Sequence, residues 1–311
     1  MVEIQRICIP IGLDCNYHCR YCIRDINCPE IPLKPNALFR EYLRRVSPSW
    51  CNAVAITGGE PLLYWDTILE VFGLLDKKVH KKIITNGSLL TAEMVEYINA
   101  HEIELNISHD AKATQEHRGR DILAEPELLE LIKGVDFLSV NCVASRHNND
   151  VVENYLYLCE VLGRRDFIYS PFLCLPNGNN QDALEGFDYD LFAKTYIGYL
   201  MRYNTRNNSP FYTRNIENKR KCDGFNVLLD GSVVSMVTLN KYGDVSMSQE
   251  ELVAAKDAHE DLKFCREYDC SVRDECAMQG QMASEHACWV ARNIINMGRF
   301  FKSCKGAELY G

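Results

Sequence analysis

The residues Cys15-Asn16-Tyr17-His18-Cys19-Arg20-Tyr21-Cys22 space three cysteines as C-x3-C-x2-C and follow directly on an apolar run, Ile4–Leu13. Three thiolates on one short loop can converge on one metal cluster, and cluster iron prefers thiolate sulfur. A cubane has four irons, so three cysteines leave one iron open to another ligand. A zinc site with His18 as a fourth ligand is the alternative, although structural zinc sites favour paired ligand spacing.

The apolar run before this loop is the first of six predicted strands. They are Ile4–Leu13, Ala53–Thr57, Lys82–Thr85, Ile103–His109, Phe137–Val143 and Phe167–Leu175. Helical patterns lie between them, over Asp66–Lys77, Thr91–Ala100, Pro126–Gly134 and Asp150–Gly163. Repeated strand–helix units predict parallel strands covered by helices, and six units predict an α/β fold with a partial (β/α)6 TIM-like barrel.

The pattern changes after the sixth strand. Asp188–Asn204 reads as one more amphipathic helix, and the apolar runs Asn226–Leu229 and Val233–Val237 flank Asp230-Gly231, which predicts a hairpin. A cysteine-rich tail follows. We therefore predict a barrel domain with a linker helix over residues 1–213 and a small cysteine-rich domain with a β-hairpin and helices over residues 214–311.

Composition narrows the class of protein. The chain has 311 residues, a net charge of −9, 47% hydrophobic residues and 15 cysteines. No segment approaches 18 consecutive apolar residues, and the N-terminus lacks a secretory signal pattern, so we expect a cytoplasmic protein with reduced thiols and no membrane contact. The negative charge argues against non-specific binding of duplex DNA, which needs a basic surface.

The cysteine loop and the motifs after it resemble the radical S-adenosylmethionine (SAM) superfamily over about the first 175 residues. The resemblance implies that Cys15, Cys19 and Cys22 hold a 4Fe–4S cluster whose open iron binds SAM. One electron then cleaves SAM to a 5′-deoxyadenosyl radical, which takes a hydrogen atom from a substrate carbon. The resemblance also places Tyr21 beside the adenine.

Further SAM contacts are predicted at the ends of the strands, where parallel barrels bind ligands. Thr57-Gly58-Gly59-Glu60-Pro61 matches the family motif that binds the SAM amino group, although such a segment can also form a turn. For the polar residues at the ends of the following strands, the alternative is that they cap the next helix. An arginine after the fourth strand is expected to reach the SAM carboxylate. The predicted SAM-binding residues are Tyr21, Gly58, Gly59, Glu60, Asn86, Ser108, Arg118, Arg120 and Asn141.

The C-terminal cysteines resemble the SPASM/twitch extension of radical SAM enzymes, which carries auxiliary 4Fe–4S clusters. That pattern expects cysteines at positions occupied by Met236 and Gly280, so the resemblance implies one auxiliary cluster and not two. Zinc is the alternative metal, and Cys304 is the alternative fourth ligand. The predicted ligands are Cys265, Cys270, Cys276 and Cys288.

Cys222 opens this extension and is left without cluster partners. It is either a buried thiol or a hydrogen-atom donor that quenches a substrate radical, and the second possibility makes it a candidate catalytic residue.

The resemblance implies an enzyme whose reaction subclass stays open among oxidoreductases, isomerases and bond-forming enzymes. We expect a peptide or protein side chain as substrate, although the early first strand leaves no room for a leader-binding domain. A nucleotide or nucleobase, as in phage-type DNA hypermodification, and a sugar are the alternatives. An electron donor such as flavodoxin or ferredoxin is the expected redox partner.

Overall fold

A single nine-stranded sheet forms the framework of the computed structural model, which describes residues 4–22, 30–173, 185–203, 224–234 and 239–258. Its strand order is β6-β5-β4-β3-β2-β1-β7-β8-β9. The predictions for Cys222, Cys265, Cys270, Cys276, Cys288 and Cys304 lie outside the described residues.

The first six strands are all parallel and in sequential order, as predicted for a partial barrel. They are β1 (Ile4–Pro10), β2 (Cys51–Thr57), β3 (His80–Thr85), β4 (Glu104–Ser108), β5 (Leu138–Ala144) and β6 (Ile168–Leu173). Parallel neighbours need crossover connections, and helices supply them. The helices are α1 (Ala37–Arg45), α2 (Trp65–Gly73), α3 (Ala92–Ala100), α4 (Thr114–Arg118), α5 (Pro126–Lys133), α6 (Val151–Leu162), α7 (Tyr189–Arg202) and α8 (Gln249–Ala258).

The two faces of the sheet carry different side chains. On β4, Leu105 and Ile107 are fully buried in the apolar core that includes the helices, and they alternate with Asn106 and Ser108. Because successive strand residues point to opposite faces, the polar side chains lie on the face away from the helices. Asn106 donates hydrogen bonds there to Ser139 and Asn141 on β5. The inner face of the sheet is therefore polar along β4 and β5.

Helix caps lie where the sequence predicts them. The Thr91 side chain accepts a hydrogen bond from the backbone of Met94, and the Asp150 side chain accepts one from Glu153. Gly163 ends α6 in the left-handed conformation, with φ of +66°. Within the described residues, every helix is too short or too polar to cross a membrane.

The sequence analysis did not include α1. Asn36 caps this helix by accepting a hydrogen bond from Phe39, and Phe39 and Leu43 are fully buried. The apolar stripe is short, and four of the nine residues are charged, so the periodicity is weak.

The predicted hairpin is confirmed in its described part, and it belongs to the main sheet. β7 (Gly224–Val227) and β8 (Ser232–Val234) are antiparallel, and β9 (Lys241–Asp244) pairs with β8. β7 also pairs in parallel with β1, with Phe225 opposite Ile7. Hydrogen bonding in the sheet therefore continues across the domain boundary predicted at residues 213 and 214.

This continuity predicts that β7 contributes to the stability of the barrel. Phe225 is fully buried, so Phe225→Ala is expected to lower the free energy of unfolding by about 3–5 kcal/mol. Phe137→Ala is the matched control, because that ring is 54% exposed and its loss is expected to change stability by about 0.5 kcal/mol or less. Urea unfolding of both variants measures the difference. Equal effects would contradict the placement of β7 in the barrel core.

Candidate active site

The cysteine loop rests on the end of β2 through contacts between two backbones. The Gly59 amide donates to the Gly12 carbonyl at 3.1 Å, and the Glu60 amide donates to the Asp14 carbonyl at 2.8 Å. A Cβ atom on Gly59 would lie 2.2 Å from the Asp14 oxygen, and one on Gly58 would lie 2.5 Å from the Ile11 oxygen. Both glycines are therefore required by the close approach of the chain to itself, whatever ligand they also contact.

Nitrogen–hydrogen groups point at the sulfurs of two predicted ligands. The Tyr17 amide donates to Cys15 Sγ at 3.4 Å, and Asn86 Nδ2 lies 3.9 Å from the same sulfur. Arg118 Nη1 lies 4.0 Å from Cys19 Sγ. Hydrogen bonds to sulfur are one of the means by which proteins tune iron–sulfur clusters. This donor set fits a thiolate-ligated cluster.

Burial opposes ionisation of these thiols when no metal balances their charge. Desolvation raises the pKa of Cys15, and it raises the pKa of Cys19 to about 11. Cys22 is exposed, and its amide donates to the Cys19 carbonyl at 3.1 Å. After desolvation, the neighbouring Cys22 thiol also raises the pKa of Cys15 and of Cys19, and Cys15 raises that of Cys19, so the three thiols are near neighbours.

No three histidine, cysteine, aspartate or glutamate side chains of the described part of the chain lie where they could hold a metal ion. Ligands of a four-iron cluster bind different irons, so their sulfurs need not meet around one point.

Glu60 joins the ends of two strands. Its carboxylate is fully buried and accepts hydrogen bonds from the Leu62 amide, the Thr85 hydroxyl at 2.6 Å and the Asn86 amide at 2.7 Å. Burial raises the pKa of this carboxyl group above its ordinary value. A carboxylate offers about four acceptor positions, so about one is left for a ligand.

Asp110, at the end of β4, is the most heavily bonded carboxylate next to the loop. It is fully buried and accepts hydrogen bonds from the Tyr21 hydroxyl, from Arg118 Nε at 2.9 Å and Nη2 at 3.2 Å, and from the Val143 amide at 2.9 Å. Burial by itself raises the pKa of Asp110. The charge of Arg118 and the hydrogen bonds outweigh burial, so the pKa lies well below its ordinary range.

The structure brings most of the predicted SAM-binding residues to one edge of the sheet. Asn86 bonds to Asn16 of the loop, and Ser108 pairs in register with Asn141 on β5. Arg118 is buried beside Cys19, whereas Arg120 forms a two-bond ion pair with Glu125 and its side chain is 45% exposed. Of the two arginines, only Arg118 lies against a cysteine of the loop.

Asp110, Thr85 and His117 are site residues that the sequence analysis did not select. The His117 carbonyl accepts from the Arg20 amide at 2.9 Å, and its ring lies edge-on to Tyr21, with the centroids 5.5 Å apart. Asp110 follows Ser108 by two residues at the end of a strand, so its position was a usable signal.

Comparisons with known proteins agree with this fold. The Radical SAM superfamily model matches residues 9–157 of the chain. The chain is 28% identical over 185 residues to the radical SAM cyclopropyl synthase TigE of Paramaledivibacter caminithermalis, covering 49% of this chain and 39% of TigE. It is 24% identical over 227 residues to the AdoMet-dependent heme synthase of Methanosarcina barkeri, covering 68% and 64% of the two chains. The matches thus span less than two thirds of these curated relatives.

Solved structures show the same fold. anSMEcpe with bound AdoMet has a TM-score of 0.68 at 18% identity, covering 96% of this chain and 97% of that chain. Streptococcus suis SuiB bound to S-adenosylmethionine has a TM-score of 0.63 at 16% identity, covering 88% and 72%. The curated relatives are named as enzymes, which is the class of protein that the sequence predicts for this chain.

The contact between the two backbones predicts that Gly59 cannot be replaced. Gly59→Ala places its methyl group against the Leu13 and Asp14 carbonyls, so we expect a loss of about 1–3 kcal/mol in unfolding free energy and a displaced cysteine loop. Gly73→Ala is the control, because its added methyl group meets no atom within 4 Å. It is expected to leave stability unchanged or raised by up to about 1 kcal/mol. Thermal unfolding and iron content after reconstitution measure both effects. Wild-type values for Gly59→Ala would refute the close packing.

Proposed function

We propose that this chain is a radical SAM enzyme in which Cys15, Cys19 and Cys22 hold a 4Fe–4S cluster and SAM binds beside them. The observation that carries the proposal is the set of N–H groups directed at Cys15 and Cys19, within a domain that matches the superfamily. The cluster, when bound, supplies the electron for reductive cleavage of SAM to a 5′-deoxyadenosyl radical.

In this proposal, residues from several strands around the loop each bind a different part of SAM. We assign the SAM amino group to the Gly58–Glu60 segment, with the free acceptor position of Glu60 facing an ammonium group. Asn86 and Ser108 are polar groups at the ends of adjacent strands, Asn141 pairs with Ser108 from within β5, and the three suit the ribose and carboxylate of SAM. Tyr21 is the proposed neighbour of the adenine, with its hydroxyl held by Asp110. Arg120 remains a weaker candidate, since its guanidinium is bonded to Glu125.

We propose a peptide or protein side chain as the substrate. SuiB has been solved bound to the precursor peptide SuiA, and anSMEcpe with AdoMet and the Cp18Cys peptide. TigE is named as a cyclopropyl synthase. Asn141 is half-buried on the inner face and can hydrogen-bond to the polar backbone of a peptide, whereas Asn106 and Ser139 are fully buried.

A nucleotide is the second candidate substrate. The probable GTP 3′,8-cyclase of Methanopyrus kandleri is 30% identical over 108 residues, which cover 35% of each chain. Low-potential electrons would come from a donor such as flavodoxin or ferredoxin.

We also propose one auxiliary 4Fe–4S cluster in a SPASM/twitch-like extension, on the ligands Cys265, Cys270, Cys276 and Cys288. The support is the spacing of these cysteines in the sequence. Cys304 is the alternative to Cys288. Cys222 is the proposed hydrogen-atom donor if the product forms by quenching of a substrate radical.

Replacement of the loop cysteines distinguishes the loop cluster from the auxiliary cluster. The wild-type protein, reconstituted anaerobically with iron and sulfide, is expected to bind about eight irons and to form 5′-deoxyadenosine when reduced with SAM. The triple variant Cys15→Ala/Cys19→Ala/Cys22→Ala is expected to keep about four irons and to form none. Cys51→Ala, at the buried start of β2, is the control and keeps both properties. Formation of 5′-deoxyadenosine by the triple variant would refute the proposed cluster site, and zinc in place of the remaining iron would refute the auxiliary cluster.

Deuterium transfer distinguishes the substrate classes. Deuterium-labelled extracts of the native host are divided into peptide and nucleotide fractions and incubated with the reduced enzyme and SAM. We expect mass spectrometry to find deuterium in 5′-deoxyadenosine from the peptide fraction, because hydrogen abstraction moves the label. Transfer from the nucleotide fraction alone would favour the second candidate.

A further inference from the structure

We propose that Asp110 and Arg118 are positioning residues that hold the cysteine loop and present a charged N–H group to the Cys19 sulfur, which favours reduction of the cluster. The inference rests on the proposed function, since it requires a cluster on Cys19. It assigns Arg118 to the cluster ligand, whereas the sequence resemblance assigns an arginine in this region to the SAM carboxylate.

The bonding of Arg118 leaves one end of its guanidinium available. Nε and Nη2 donate to the two oxygens of Asp110 at 2.9 and 3.2 Å, which fixes the plane of the group. Nη1 is at the other end of this fork and lies 4.0 Å from Cys19 Sγ. The guanidinium carbon also lies 5.4 Å from the centre of the Tyr21 ring. The direction of Nη1 is therefore a consequence of its bonds to Asp110.

Asp110 ties together three parts of the chain. It accepts from Tyr21 in the loop, from Arg118 in α4 and from the Val143 amide in β5. His117 Nδ1 lies 3.4 Å from the same carboxylate. All these groups are buried or half-buried, so the carboxylate has little water to replace a lost partner. Loss of the Asp110 charge would free both the loop and Arg118.

The effect on the reduction of the cluster depends on which charged side chain, Arg118 or Asp110, lies nearer to Cys19. Reduction adds one electron to the cluster, and a positive N–H donor beside a ligand sulfur stabilises that added charge. Arg118 lies between Asp110 and Cys19 and is therefore the nearer charge. If Asp110 acted only through its own negative charge, its removal would make reduction easier. If it acts by positioning Arg118, its removal makes reduction harder.

This difference in sign defines the experiment. The variants are Asp110→Asn, Arg118→Gln and the double variant, each reconstituted without substrate. The midpoint potential of the cluster is measured by a redox titration followed by electron paramagnetic resonance. The signal is assigned to the loop cluster by its change on addition of SAM. Asp166→Asn is the matched control, because Asp166 forms the same two-bond pair with Arg164, at 2.6 and 3.0 Å, next to the start of β6.

Arg118→Gln is expected to lower the reduced-to-oxidised ratio at a fixed potential by about tenfold, which equals about 59 mV for a one-electron couple. Asp110→Asn is expected to shift the ratio in the same direction, and the double variant to shift it no further than Arg118→Gln alone. Asp166→Asn is expected to leave the potential unchanged. An unchanged or more easily reduced cluster in Asp110→Asn would overturn the proposal, as would an unchanged potential in Arg118→Gln.

Hydrogen exchange of the metal-free chain provides a second measurement that needs no cluster. The Arg20 amide donates to the His117 carbonyl and the Cys22 amide to the Cys19 carbonyl. Asp110→Asn is expected to speed exchange at both amides by at least about tenfold, the loss of roughly one hydrogen bond to a charged group. Unchanged protection would overturn the positioning role even if the variant binds no iron. If the wild-type chain binds no iron on the loop, but Asp110→Asn still speeds exchange at the two amides, the proposed function is refuted and the positioning role of Asp110 stands.

Discussion

The close contact between the backbone of the Gly58–Glu60 segment and the backbone of residues 11–14 supports the whole site. Parallel strands end at the same edge of a sheet, so the segments that follow the neighbouring strands β1 and β2 lie side by side there. Two hydrogen bonds join them, and the space left is too small for a side chain. The loop therefore starts from a fixed place on a rigid sheet, and Cys15 lies directly after that contact.

The two buried carboxylates around the loop are each held by several hydrogen-bond donors. Glu60 accepts three hydrogen bonds, and Asp110 accepts from a tyrosine, an arginine and a backbone amide. An unpaired buried charge would cost several kcal/mol, whereas a paired network holds one arrangement of the side chains. The Cys19 thiol differs from these carboxylates. Burial raises its pKa, and the positive charge of Arg118 offsets only part of that effect. The site is thus preorganised for a ligand that brings its own positive charge.

Prediction from sequence succeeded where a local pattern carries the information. Short apolar runs between helical patterns predicted the six parallel strands, and Thr91, Asp150 and Gly163 predicted helix ends, because each acts on its own neighbours in the chain. It missed α1, whose apolar stripe is short, and it did not predict that β7 pairs with β1. That pairing joins Phe225 to Ile7 across more than 200 residues, and no local pattern encodes such a contact.

The spacing of Cys15, Cys19 and Cys22 and the glycines at 58 and 59 were sufficient to indicate the superfamily whose model matches residues 9–157. Both motifs are local, and thiolate chemistry follows from the residue type. Only the tertiary structure decided which polar groups face the sulfurs, because Asn86 and Arg118 reach the loop from strands and helices far along the chain. It also separated Arg118 from Arg120, two residues apart, by giving one a buried carboxylate and the other an exposed one. Partner choice depends on distances in space, and spacing along the sequence does not contain them.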